Sequence, residues 1–496
     1  MKKKILLAIS LFFSTMSFAQ KKQKPNVLFI FADDLTIKGL NSTSDGEVIA
    51  PHLERLKKQG AFFSHTFNPG AYNGAISAAS RAMINTGLSL WAATDAIGGK
   101  PSNDKYEWPE GIEPYKVNKP EQRPTLWSEH MRAEGYETYQ TGKWHVPVAA
   151  TEVFDHANIT PGSMPNQHKD CYARKFIKGV EDKWTASDSI YGGYWKGGQH
   201  WSELVRDHAL NYLDHSKTID KPFFMYIGFN APHDPRQSPQ EYLDMYDVDK
   251  VSVPESFVEV YPYATEVGAG PTLRDEQLAP FPRTEYSVQV NRKEYFALIT
   301  HMDAQIGMIL DKLEETGQAD NTYIIFTADH GLAVGDHGFI GKQNLYDPSI
   351  RVPMLISGPG IKPGTEIDEL IYLQDAMATA LDIADSDADV YFKSFLPLAK
   401  GEKMETRDAV INTYIGCQRM IRTDRYKLMI YPSISMVRLY DMKKDPNELN
   451  DLAGNKKYTK LMNQLFAQFQ ELQKEVNDPL DVTPYFNEFI ASVAEK

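Results

Sequence analysis

Adjacent carboxylates repel each other, and a chain keeps two of them together most easily where a cation offsets the repulsion. Asp33 and Asp34 stand side by side just after the apolar run at residues 26–31. Their hard oxygens suit calcium or magnesium. Asp329 supplies a third such donor at the end of another apolar run. His330 follows it, although imidazole is a less expected ligand for these ions. Lysines and histidines occupy comparable places. Gly142-Lys143-Trp144-His145 closes a run at 136–141, and Pro232-His233 closes one at 223–229. Arg236 comes shortly after His233, and Lys342 shortly after Asp329. Lysine can hold the oxygens of an anion, and histidine can move a proton near neutral pH. The spacing alone does not say which histidine would donate and which accept. Between these groups lies Ser77-Ala78-Ala79-Ser80-Arg81, followed by Thr86-Gly87. By residue type that segment is a small-residue turn entering a helix.

What must bring such groups together is the order of elements. Apolar runs at 26–31, 136–141, 223–229 and 323–327 read as strands, the first continuous enough to be covered on both faces. Helical patterns separate them. One opens with Pro51 in its first turn, one spans 126–134 and stops at Gly135, and one spans 201–215. A fourth, at 294–315, carries Ile299, Ile306, Ile309, Leu310 and Leu313 on one side and ends near Gly317. This alternation predicts an α/β fold with a large, mostly parallel sheet flanked by helices. In open sheets of that kind ligands sit beyond the carboxyl ends of the strands, and all four polar clusters fall there. Asn73-Gly74 before the Ser77 segment, with residues 81–88 after it, predicts a loop feeding a helix. Ser77 then lies near a helix N-terminus, where backbone N–H groups favour an anion.

Past about residue 385 the texture changes. Short strand-like runs at 407–413, 419–423, 426–431 and 438–441 precede an amphipathic helix at 457–476. Leu461, Leu465, Phe466, Phe469 and Leu472 share one side of that helix. A smaller antiparallel sheet packed on a helix is expected, dividing the chain into an α/β domain at 20–385 and an α+β subdomain at 386–496. Residues 1–19 read as an export signal. Lys2, Lys3 and Lys4 precede an apolar core at 5–13, too short to span a bilayer, and Ser17-Phe18-Ala19 offers a cleavage site. A periplasmic or secreted location follows, with no membrane span in the mature chain.

Of the 496 residues 42% are hydrophobic and 11% aromatic, which fits a folded enzyme. The net charge of −13, with no basic run after the N-terminus, argues against nucleic acid as partner. An anionic substrate must therefore be drawn in by local cations against the overall field. Cys171 and Cys417 form neither a disulfide framework nor a metal-ligand spacing.

Taken jointly, these residues resemble the type I sulfatases of the alkaline phosphatase superfamily, and among them the exported bacterial polysaccharide sulfatases. The resemblance rests on Ser77–Arg81, Asp33-Asp34, Gly142–His145, Pro232-His233, Asp329-His330-Gly331 and Gly341-Lys342 with Leu345-Tyr346. It runs from about Pro25 into the C-terminal region. It implies an alkaline phosphatase-like fold with a C-terminal subdomain, and oxidation of Ser77 to formylglycine (3-oxoalanine). A serine substrate implies a dedicated radical maturating enzyme as partner. One Ca2+ ion is implied at Asp33, Asp34, Asp329 and His330, with residue 77 (Ser77) as a further ligand. Arg81 would orient the formylglycine hydrate, and Lys143 and Lys342 would hold the sulfate oxygens. Asp329 would accept the proton of the attacking hydroxyl, and His145 that of the second hydroxyl. His233, helped by Lys342, would protonate the departing alkoxide. The proline common at the third motif position is Ala79 here, an accepted variant.

The implied reaction is sulfate removal from a sulfated carbohydrate, such as an oligosaccharide from a polysaccharide. Two alternatives stand beside it: a phosphodiesterase or phosphonate hydrolase of the same superfamily, and a non-catalytic glycan-binding pseudo-sulfatase. Around the pocket, Trp184, Tyr191, Tyr194, Trp195, His200 and Trp201 form an aromatic-rich segment that could stack on sugar rings or could be local core. Arg236 could bind substrate through a second anionic group or could be solvated.

Overall fold

The computed structural model describes residues 24–97, 121–158, 169–172, 174–195 and 198–495. The expected leader at 1–19 lies outside them. Asn26–Ala32 forms the middle of a nine-stranded sheet and is buried at every position, because Val27 to Phe31 present apolar side chains to both faces. Phe29 packs 4.8 Å from Trp127 and 5.2 Å from Tyr226. The strand order is Thr365–Ile367, Ala61–Phe67, Arg351–Ser357, Thr322–Ala328, Asn26–Ala32, Phe223–Gly228, Glu137–Gly142, His156–Asn158, with Ile371–Tyr372 also on Ala61–Phe67. Every pairing is parallel except the two made by Arg351–Ser357. The fold is thus the expected mixed α/β one with a mostly parallel sheet.

Register places the polar clusters level with one another. Ala32 lies opposite Ala328, Phe31 opposite Gly228, and Gly142 opposite Gly228. Asp33, Asp329 and Lys143 are therefore the first residues beyond one common edge. Backbone bonds carry the ladder past that edge: Asp33 N donates to Ala231 O (3.0 Å), Asp329 N to Ala32 O (3.1 Å) and Lys143 N to Gly228 O (2.8 Å).

The helix expected at 294–315 begins earlier, as Glu285–Glu315, capped by Thr284, whose hydroxyl accepts from Ser287 N at 3.1 Å. Its first turns lack an apolar period because Asn291, Arg292 and Glu294 are buried in polar contacts instead.

The second sheet joins Ala409–Tyr414, Gln418–Thr423, Tyr426–Tyr431 and Met436–Asp441 in antiparallel order. A fifth strand, Gly70–Ala71, runs parallel to Ala409–Tyr414 and comes from the segment just before Ser77. Helix Thr459–Glu475 covers this sheet through Met462, Leu465, Phe466 and Phe469, while Leu461 and Leu472 are half-buried. A further helix, Thr483–Glu495, was not foreseen; its Phe486 stacks on Phe466 at 3.9 Å. Among the described residues no helix is long and apolar enough to cross a membrane.

Candidate active site

Ser77 lies in the first turn of helix Ile76–Thr86, and Arg81 four residues on shares its face. The small side chains at Ala78 and Ala79 let this turn approach the sheet edge. Ser77 Oγ donates to Asp33 Oδ1 at 3.2 Å. Arg81 Nε donates to Asp329 Oδ2 at 2.9 Å and its Nη1 to Lys143 O at 2.8 Å, with the guanidinium 4.6 Å over the Phe31 ring. Lys143 Nζ pairs with Asp33 Oδ2. Lys342 Nζ donates to both Asp34 oxygens at 2.6 and 2.7 Å and lies 3.5 Å from Ser77 Oγ. Three carboxylates are thus matched by three cations, all buried. In its serine form residue 77 has Asp33 as its carboxylate partner. Both Asp329 oxygens are engaged elsewhere, Oδ1 by Asp34 N at 3.1 Å and Oδ2 by Arg81.

Local backbone shapes aim these groups. Asp34 has φ +66° and His145 φ +54°, uncommon for non-glycine residues. Tyr295 of the long helix holds the first of these turns: its hydroxyl donates to Asp34 O at 2.6 Å and accepts from Thr36 N at 3.1 Å. Gly142 has φ +80°, and a Cβ there would stand 1.9 Å from Gly228 O, so only glycine lets the chain turn Lys143 inward. Trp144 anchors the same loop, with Nε1 donating to Val148 O at 2.6 Å.

Electrostatics follow from burial and pairing. Burial opposes ionisation of Asp33, but Lys143, His233, Arg81 and Lys342 outweigh it and hold its carboxyl below the usual range. Burial pushes Asp34 up, and the nearby Asp33 and Asp329 add to this against the pull of Lys342 and His233. Burial lowers Lys143 despite Asp33, whereas Asp34, Asp275 and Asp33 overcome burial at Lys342 and raise it. His145 is exposed to solvent, yet burial by flanking protein first, then Lys143 and Arg81, push it down to about 3.

The oxygens of Asp33, Asp34 and Asp329 lie within 4.8 Å of one another, and all three residues are buried. That donor set of hard oxygens fits a Ca2+ or Mg2+ ion. His330 is not part of the gathering, contrary to its place in the expected ligand set. Its Nδ1–H donates to Gly331 O at 2.8 Å, and burial pushes its pKa down to about 4.

His233 reaches the cluster from the side. Its Nδ1–H donates to Asp234 O at 2.6 Å, and its Nε2 lies 3.7 Å from Asp34 Oδ2. Arg236 does not join it and is not solvated. It is buried against the long helix, with Nη1 donating to Asn291 Oδ1 at 2.7 Å and the guanidinium 5.6 Å from the Tyr295 ring. The aromatic segment resolves largely as core. Trp184, His200 and Trp201 are buried, Tyr191 stacks on Trp184 at 4.6 Å, and His200 meets His301 at 4.3 Å. The Trp195 side chain lies outside the described residues.

Sequence reasoning passed over Asn68, whose Nδ2 donates to Asp329 O at 2.6 Å, and Arg274, whose Nη2 lies 3.3 Å from His233 Nε2. It also passed over Asp234, which adjacency to His233 could have flagged. Arg274 and Asn68 sit in segments with no period or motif to mark them.

Comparison with known proteins bears on this arrangement directly. The family model described as "Sulfatase" matches residues 25–386, most of the chain. The chain belongs to the sulfatase family. That family comprises sulfuric ester hydrolases, and the N-sulphoglucosamine sulphohydrolase C-terminal model matches residues 335–475 of this sulfatase as well. It is 24% identical to an N-acetylglucosamine-6-O-sulfatase of Bacteroides thetaiotaomicron, over 95% of this chain and 90% of that one. It is 26% identical to an arylsulfatase of Clostridium perfringens, over 88% and 91%. A structure solved in complex with its substrate D-glucosamine-2-N,6-O-disulfate shares the fold at TM-score 0.69 and 20% identity, covering 93% of this sulfatase and all of that chain. A phosphonate monoester hydrolase of Agrobacterium radiobacter shares it at TM-score 0.70 and 20% identity, over 91% and 96%.

Proposed function

We propose that this sulfatase removes sulfate from a sulfated carbohydrate, using a formylglycine formed from Ser77 by a radical maturating enzyme. The observation that carries this reading is the position of Ser77 Oγ, between Asp33 at 3.2 Å and Lys342 at 3.5 Å, at the edge of a buried three-carboxylate cluster. An ordinary serine hydroxyl is a weak attacker on a sulfate ester. A hydrated formylglycine offers two hydroxyls on one carbon, one to attack sulfur and one to expel sulfate and restore the aldehyde. Asp33, Asp34 and Asp329 would hold a calcium ion, which when bound would supply positive charge to the sulfate oxygens.

The remaining work falls to this chain's own side chains. Lys143 and Lys342, resting on Asp33 and Asp34 beside residue 77, turn to hold sulfate oxygens when substrate binds. Arg81, locked between Asp329 and Lys143 O, orients residue 77. A carboxylate of the cluster, Asp329 or the nearer Asp33, takes the proton of the attacking hydroxyl. His233, its Nδ1 committed to Asp234, delivers a proton from Nε2 to the leaving oxygen. His145, exposed to solvent two residues past Lys143, takes the proton of the second hydroxyl. The carbohydrate is supported by the substrates of two similar proteins, a glucosamine disulfate and an N-acetylglucosamine sulfate. Export, directed by the leader-like residues 1–19, would place the enzyme where such glycans occur.

Two measurements test the reading on enzyme coexpressed with a serine-type maturating enzyme. The tryptic peptide containing residue 77 should be lighter by two hydrogens. Sulfate should be released from sulfated saccharides. Cleavage of aryl or choline sulfate alone would refute the carbohydrate assignment. Turnover of phosphonate monoesters without sulfate release would refute the sulfate-ester one.

A further inference from the structure

One cation beside the site takes no part in the chemistry above. Arg274 precedes the short helix Asp275–Leu278. Its Nε and Nη2 grip Asp275 Oδ1 at 2.8 and 2.6 Å, and Asp275 Oδ2 accepts from Gln343 Nε2 at 3.0 Å, next to Lys342. Nη2 also lies 3.3 Å from His233 Nε2 and 3.6 Å from Asp234 Oδ1. Nη1 has no partner among the described residues. The Arg274 side chain is 41% exposed, whereas those of His233, Asp234 and Asp275 are each 4% exposed. One edge of the guanidinium is thus fixed to the site wall, and the other opens to solvent beside the nitrogen that faces the leaving oxygen.

We propose that Arg274 is a specificity-determining residue that binds a second anionic group, a carboxylate or another sulfate, on the sugar ring bearing the scissile sulfate. The inference rests on the carbohydrate sulfatase reading. The remaining Nη1 can give charge-assisted hydrogen bonds to a carboxylate or sulfate oxygen, and a guanidinium already held by Asp275 loses little freedom on making them. Its Nη2 lies 3.3 Å from His233 Nε2, the nitrogen assigned to the leaving oxygen, so the second anion would sit on the same side of the substrate as that oxygen. A chain of net charge −13 repels polyanions at long range, so selection for a doubly charged sugar needs a local cation of this kind.

The test uses matched substrates that differ by one anion. Glucosamine 6-sulfate is compared with glucosamine 2-N,6-O-disulfate, and sulfated neutral sugars with the corresponding sulfated uronic acids. For the mature enzyme, kcat/KM should favour the doubly anionic member of the hydrolysed pair by on the order of 10- to 100-fold, the range of a charge-assisted hydrogen bond. Arg274→Ala should erase that preference mainly through KM, and Arg274→Lys should keep part of it. The pair that responds identifies carboxylate or sulfate as the anion. Equal kcat/KM for both members, or an equal loss for both in Arg274→Ala, would overturn the inference while leaving the sulfatase reading intact. Sulfate release from none of these saccharides would overturn both.

Discussion

Lys342 holds both oxygens of Asp34 and lies 3.5 Å from Ser77 Oγ, with 4% of its side chain exposed. Lys342→Ala therefore does two separable things. It removes a preorganised cation from the oxygens that gain charge in the reaction, at a cost of about 3 kcal/mol in the barrier, or roughly 160-fold in kcat. It also leaves Asp34 buried without its ammonium partner. Breaking a buried pair costs about 3–5 kcal/mol, and because His233 lies 3.7 Å from Asp34 the lower figure is expected. Domains are stable by about 5–15 kcal/mol, so the variant should still fold, with a lower melting temperature. Sulfate release under saturating substrate measures the first effect and thermal unfolding the second. Lys342→Arg restores charge without the compact ammonium and should recover part of the stability but little of the rate. A folded Lys342→Ala enzyme with kcat within a few-fold of the parent would refute the assignment of Lys342 to the reacting oxygens.

Three further outcomes follow from the same structure. Gly142→Ala forces a Cβ to 1.9 Å from Gly228 O at a positive φ, so the strand edge must shift; a loss of at least about 1–3 kcal/mol is expected by denaturant unfolding, with lowered activity because Lys143 is next in line. Ca2+ should raise the melting temperature, by about 2.7 kcal/mol of stability at a hundredfold excess over Kd, and this gain should be lost in Asp329→Asn; equal gains in both proteins would count against the three-carboxylate site. Asp303, buried behind helix Pro51–Gln59 where it accepts from His52 N and Leu53 N, is raised from 3.8 to about 7 by that burial. The folded state then binds the proton more tightly than the unfolded one, so stability should fall as pH rises from about 4 to about 7, by on the order of 3–4 kcal/mol, and Asp303→Asn should flatten that fall in unfolding curves taken across the range.

Much of the site could be read before any coordinates. The continuous apolar runs announce the central strands, and the polar residues just past them are the ones that converge. The helix after Ser77 and the antiparallel strands near the C-terminus follow from small-residue and alternating patterns. Other features escaped. Arg351–Ser357 enters an otherwise parallel sheet in antiparallel sense, and Gly70–Ala71 joins the second sheet from the N-terminal half. Neither direction nor partner is written in a short apolar run. Arg236 looked like a substrate contact or a surface residue, and it is packed on Tyr295 and Asn291. The aromatic segment suited a sugar platform and local core equally, and three of its rings are core. Local composition cannot tell an aromatic ring that packs inward from one that faces a ligand.

Residue order alone determined which chemical groups are available and that each stands at a strand end. Burial of apolar runs is a local property, legible one segment at a time. Tertiary structure decided the pairings: Lys143 with Asp33, Lys342 with Asp34, Arg81 with Asp329, and Arg274 beside His233. The first three pairings join groups 110, 308 and 248 positions apart. They depend on strand order and register, which arise from the packing of the whole sheet and are encoded in no single stretch of it.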